Sequence, residues 1–317
     1  MSKKSISLIV IAVFFLTTSQ IKAAKPEVEL RFNEHDAIAL ASSMLINGLM
    51  GGFGAHYTHS PNANIWHDQN FWRGFNQGAV GGIPIYGGLK LITFQNEWEY
   101  SALAGKQLSD LGTSITFSAS RGENWLDNPR YITDAGPFVF NWEKKTGFKP
   151  EITVMPASAV STLYAFSQFE LNAQQSLRSG MLIFNGTGNS AGRYNEDHRD
   201  GVHLTNIAII PNYESELDHL SSHNYNITLG HEAMHGRQYF MWVALDATFD
   251  YKFKNNKGRL SKKLEQLLTN DNLQWGPDIG GLYWSGLGEI SFLAGVPYSY
   301  IPSEYANFNL FNTKNYE

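Results

Sequence analysis

The chain has 317 residues, 43% of them hydrophobic and 14% aromatic, with 24 Lys+Arg against 29 Asp+Glu and no cysteine. That composition supports a buried core and excludes an intrinsically disordered chain. The missing cysteine excludes disulfides, thiolate-held zinc, iron–sulfur clusters and thiol nucleophiles, so any metal must rest on His, Asp or Glu. A formal charge of −5, with no long Lys/Arg run, leaves no electrostatic footprint for nucleic acid.

Residues 1–24 read as a signal peptide. Lys3 and Lys4 precede an apolar run from Ile6 to Leu16, and small residues at Ala23 and Ala24 offer a cleavage point. The run is short for a membrane span, and the mature protein is expected in the periplasm, in the outer envelope or secreted.

Residues 25–95 read as a Gly-rich, apolar helical hairpin. The segments 36–55 and 74–94 are almost free of charge and flank a polar, aromatic loop, HYTHSPNANIWHDQNFWR. Gly74, Gly78 and Gly82 recur every four residues and lay a flat stripe that lets another backbone approach closely. The spacing predicts a tightly packed hairpin, with membrane contact through 36–55 and 74–94 as the alternative. Asn47, Asn76, Gln77, Pro84 and Lys90 make these segments marginal spans.

Residues 96–222 change character to short β-like runs, TSITFSA, RYITDAGPFVFNW, EITVMP, GMLIFNG and VHLTNIAII, which predict a central antiparallel sheet. GTGNSAGRYNEDHRDG reads as a surface loop. His198 and His203 lie near Glu196, Asp197 and Asp200 there, but their spacing fits no ligand pattern, so the segment is expected to be a solvated polar loop. KFKNNKGRLSKKLEQLL, with Glu265, reads as a solvated amphipathic helix. The fold class expected is α+β, with a C-terminal helical part in 223–317 that bears the site.

That site is announced by ITLGHEAMHGRQYFMWVALDATF, where His231, Glu232 and His235 spell H-E-x-x-H. On a helix, positions i and i+4 share a face, so two imidazoles reach one ion while Glu232 addresses the water that the ion holds. Asn224 or Asn226 can cap the helix, and Leu229, Ala233, Met234, Phe240 and Val243 give it an apolar side. Zinc in such a site lowers the pKa of water from about 16 to about 7, with Glu232 as general base. A third ligand is required, and any nearby carboxylate satisfies zinc geometry; Glu304, Glu289, Asp246 and Asp250 all remain open on the residues alone.

His231-Glu232-Ala233-Met234-His235, preceded by Thr228-Leu229-Gly230, resembles the motif of zincin metallopeptidases. The run TLGHEAMHGRQ is similar to a set of uncharacterised bacterial proteins that read roughly TLGHEYGHxxQ, matching Thr228, Leu229, Gly230, His231, Glu232, His235 and Gln238. The resemblance covers about a dozen residues. No His follows His235, which removes the metzincin branch. It implies a gluzincin-like site with a Glu from a later segment, and by the pattern GVPYSYIPSEYAN it favours Glu304 over Glu289 as third ligand. Here the chain departs from the pattern by one residue, with Ser303 where Glu is expected, and Arg237 stands where zincins commonly carry an apolar residue. Tyr283, Trp284, Tyr298, Tyr300 and Tyr305 follow the motif, and a tyrosine among them could serve an oxyanion. The expected function is an exported zinc-dependent hydrolase acting on polypeptide. The alternatives are an envelope-associated binding or structural protein with a vestigial or structural zinc site, and a membrane-embedded metallopeptidase.

Overall fold

The structure, a computed structural model, describes residues 34–94, 98–186, 202–211, six helical positions between 229 and 237, and 273–275. The fold is α+β, and it opens with the expected glycine-rich hairpin. Helices α1 (Glu34–His59) and α2 (Gln69–Ile92) run antiparallel, joined by a loop with a 3-10 turn at Ile65–His67. The glycine stripe is where they meet. A Cβ added at Gly74 would lie 2.3 Å from the Gly51 carbonyl oxygen, one at Gly78 2.2 Å from that of Asn47, and one at Gly82 2.6 Å from that of Ser43. No side chain fits such a gap, so the backbones touch directly.

Polar clamps close the hairpin at both ends. At one, buried Asp36 accepts hydrogen bonds from Lys90 Nζ at 2.6 Å and Tyr86 Oη at 2.9 Å. At the other, Asp68 caps α2 through the Asn70 N–H and also bonds His56 Nδ1 at 2.6 Å and Ser60 Oγ at 2.9 Å.

A third helix, α3 (Ser101–Ser120), packs against both α1 and α2, with Gly54 of α1 seated on Ser120. Here the contacts are Gly81 against the Gly112 carbonyl and Gly88 against that of Gly105. This corrects the sequence reading, which placed TSITFSA in a strand; Thr113–Ala119 belongs to α3. Residues 112–120 are all buried, so no polar face survives to display a helical period. Their hydroxyls turn back onto their own helix: Ser114 Oγ donates to the Asp110 carbonyl at 2.6 Å and Thr116 Oγ1 to that of Gly112 at 3.1 Å. The helical unit therefore runs past the expected boundary at residue 95.

The remaining strand runs form strands. β1 (Arg130–Ala135) and β2 (Phe138–Glu143) make a hairpin about the two-residue turn Gly136–Pro137, with Gly136 at φ 54°. β3 (Glu151–Val154) pairs antiparallel with β2, while β8 (Leu273–Trp275) pairs parallel with β3. The 223–317 region, expected to be helical, thus supplies a strand to this sheet. A second sheet has the order β4 (Glu170–Leu171), β5 (Leu182–Gly186), β7 (Ile207–Pro211), β6 (Val202–Leu204). Its β5–β7 pair is parallel and its other pairs antiparallel, so the expected single antiparallel sheet is two mixed ones. Helix α4 (Pro156–Gln168) connects the two sheets, and α5 (Ala173–Ser179) joins β4 to β5 within the second.

The main core lies where α2, α3 and the second sheet converge, on Tyr86, Ile92, Ala102, Met181, Ile183, Ala208 and Ile210. Because hairpin packing is backbone on backbone, Gly74→Ala and Gly78→Ala are expected to cost about 1–3 kcal/mol each. Gly87→Ala, whose added methyl would meet only the Leu108 side chain, at 3.2 Å, should change the thermal midpoint little. Thermal unfolding of the three variants checks the contrast.

Candidate metal centre

The H-E-x-x-H segment is helical at Leu229, Gly230, Glu232, Ala233, Gly236 and Arg237, and all six are buried. Leu229 and Ala233 enter the main core beside Ile183 and Ile210. Glu232, proposed from sequence as general base, is 4% exposed and makes polar contacts within the protein. His231, His235, Glu304, Glu289, Asp246 and Asp250 lie outside the described residues, as do the tyrosines proposed for an oxyanion. So do Glu196, Asp197, His198 and Asp200; His203 sits on β6 opposite Ala208. Among the described residues no group of three or more His, Asp or Glu could hold a metal ion.

One turn beyond Ala233, on the same side of the helix, is Arg237. Its guanidinium is 5% exposed and forks onto Asp134, Nη1 to Oδ1 at 2.8 Å and Nη2 to Oδ2 at 3.2 Å, while Nη1 also reaches Asp110 Oδ1 at 3.1 Å. Lys106 completes the ring. Its ammonium donates to Asp110 Oδ2 at 2.8 Å, Asp134 Oδ1 at 2.7 Å and Thr133 Oγ1 at 2.9 Å. Two cations and two anions, contributed by α3, β1 and the H-E-x-x-H helix, thus close into a neutral, buried quartet.

Further groups hold it from outside. Thr133 Oγ1 donates to Asp110 Oδ2 at 2.5 Å, and Asn206 Nδ2 donates to Asp134 Oδ2 at 3.1 Å and to the Gly136 carbonyl. Asn206 is delivered by the β6–β7 turn, in which Thr205 adopts φ 62°, a left-handed conformation uncommon for a β-branched residue.

The electrostatics favour the charged forms of Asp134 and Arg237. Burial alone would raise the Asp134 carboxyl, but Arg237 and Lys106 hold it well below the ordinary aspartate value of 3.8. Burial would lower Arg237, and Asp134 and Asp110 more than reverse that. Burial and the Asp110 charge likewise raise the Tyr131 hydroxyl, which donates to Gln107 Oε1. With Asp134 held low and Arg237 held high, this pair serves as an anchor and not as a proton relay.

The quartet also accounts for the departure at Arg237. Where an apolar residue would dock the helix by packing, this chain docks it by charge. Lys106, Asp110 and Asp134 were missed from sequence, although an i, i+4 Lys–Asp pair standing alone in an otherwise uncharged helix was a usable signal. Comparison of the chain with protein-family models, with curated proteins and with solved structures returned no match.

Removing one member leaves an unpaired buried charge, so Arg237→Met and Asp134→Leu are each expected to cost about 3–5 kcal/mol. The double variant keeps the balanced Lys106–Asp110 pair and should lose clearly less than the sum of the two, which a double-mutant cycle by denaturant unfolding measures. Asp134 is depressed in the folded state, so its contribution is complete above the unfolded value near 3.8 and disappears as pH falls through the folded value. Stability of the wild type should therefore drop more steeply below about pH 4 than that of Asp134→Leu.

Proposed function

We propose that the protein is an exported zinc-dependent hydrolase, a peptidase in its most direct form, with Glu232 as general base. The observation that supports it is the placing of Glu232: a buried carboxylate on a helix whose Leu229–Ala233–Arg237 side is fixed to the core. In this reading the i, i+4 spacing puts His231 and His235 together on one side of the helix, next to Glu232.

His231, His235 and the Glu304 carboxylate would hold zinc, with Glu289 next in order. Bound there, zinc would supply Lewis acidity toward a scissile carbonyl and make water a competent nucleophile at neutral pH. Glu232 takes the proton from the attacking water and returns it to the leaving amine, so one carboxylate serves as base and then as acid. Arg237 contributes by fixing the rotation of the helix about its axis, which sets where Glu232 points.

The test is metal content together with one substitution. The purified protein should bind about one zinc per chain, and Glu232→Gln should keep that zinc and its fold while losing hydrolysis of an unfolded polypeptide by about 10²-fold or more. Zinc bound with no change in Glu232→Gln would assign the metal a structural role, and absence of zinc binding would end the reading.

A further inference from the structure

The helical bundle is arranged inside out. Its interior carries Ser109, Asp110, Thr113, Ser114, Thr116, Ser118 and Ser120 of α3, all buried, and glycines at the helix contacts. Its outer surface carries the bulk: Ile38 is 64% exposed, Leu45 54% and Val80 54%, joined by Ile46, Leu49, Phe53 and Ile83. On α1 the exposed positions 38, 41, 42, 45, 46, 49, 53 and 57 form one continuous stripe without a charged residue. A water-facing helix of a globular domain shows the opposite distribution.

Charge is confined to the ends of the hairpin. Between Asp36 and His56 on α1, and between Arg73 and Lys90 on α2, there is no acidic or basic side chain. Asp36, Lys90, His56 and Asp68 are spent on the two buried clamps. Around the loop end stand exposed Tyr57, Trp66 and Trp72, with Arg73 beside them. Amphipathic aromatic rings bordering an uncharged apolar face are the pattern of a surface at the membrane–water boundary. The helix Asp36–His59 is also long and apolar enough to cross a membrane, and only 28% of its apolar stretch is buried, unlike the core helix of a soluble domain.

We infer that the outer face of the α1–α2 hairpin is seated in the hydrocarbon of a lipid bilayer. A protein partner would present polar backbone or charge that this face has nothing to pair with, whereas acyl chains require neither. Because α3 packs on both α1 and α2 and β1 packs on α3, the inner face of the hairpin is turned to the rest of the protein and its outer face is the one that meets lipid. The inference is independent of the zinc reading. It would place the catalytic helix at a fixed distance from the membrane surface.

The absence of native cysteine makes the test clean. Single variants Leu49→Cys, Phe53→Cys and Val80→Cys of the full chain, each with an environment-sensitive fluorophore, are mixed with phosphatidylcholine–phosphatidylglycerol vesicles. Leu177→Cys, on α5 and 76% exposed, is the control. The protein should float with the vesicles, and the labels at 49, 53 and 80 should shift to the blue and be quenched by brominated acyl chains, while that at 177 is not. Leu45→Glu/Leu49→Glu, at exposed positions, should keep the far-UV spectrum and lower the vesicle-bound fraction by about tenfold or more. If that pair fails to fold, Leu49→Asn/Phe53→Asn takes its place. The inference is overturned if the detergent-free protein does not float. It is equally overturned if the three labels are already shielded without lipid, whether by a second copy, seen as doubled mass in light scattering, or by other residues of the same chain.

Discussion

A ring of four charges sealed from water holds the molecule's parts in register. Lys106, Asp110, Asp134 and Arg237 come from a helix, a strand and the H-E-x-x-H helix, and each cation contacts both carboxylates. Four ions taken from water are not a cheap source of stability, since their lost hydration offsets most of the attraction. What they supply is geometry. A guanidinium fork on a carboxylate admits one orientation, whereas apolar packing at the same position tolerates rotation and slip. Orientation of the helix that carries Glu232 is therefore what the ring fixes.

The glycine-built hairpin was legible because its signal is local: Gly74, Gly78 and Gly82 at a spacing of four, in a segment without charge, state both the element and its mode of packing. Most strands were legible for the same reason. Helix α3 was not, because burial on every side removes the polar phase that a helical period needs, and Thr113, Ile115 and Thr116 carry β-branched character into a helix. The H-E-x-x-H motif at 231–235 is visible as a local spacing in the sequence. Its anchor is not, since Arg237 meets Asp134 and Asp110 across separations of 103 and 127 residues, and no local pattern encodes such pairs.

The two halves of the structure use opposite means of holding together. The hairpin relies on backbone proximity and keeps its bulky side chains outside, whereas the sheet region buries Ile183, Phe184, Ile207 and Ile210 completely in the ordinary way. Helix α3 makes the two compatible. One side offers glycine to α2, and the other offers Lys106, Asp110 and the Ser114 hydroxyl to β1, the last accepting the Ile132 N–H at 2.8 Å.

The parallel pairing of Glu151–Val154 with Leu273–Trp275 carries a consequence for biogenesis. Those partners are separated by about 120 residues, so the pairing belongs to the slow, long-range class of contacts. Until Leu273–Trp275 has docked, the folding chain exposes an open strand edge at β3, and a chaperone that shields this edge would improve the yield of native protein.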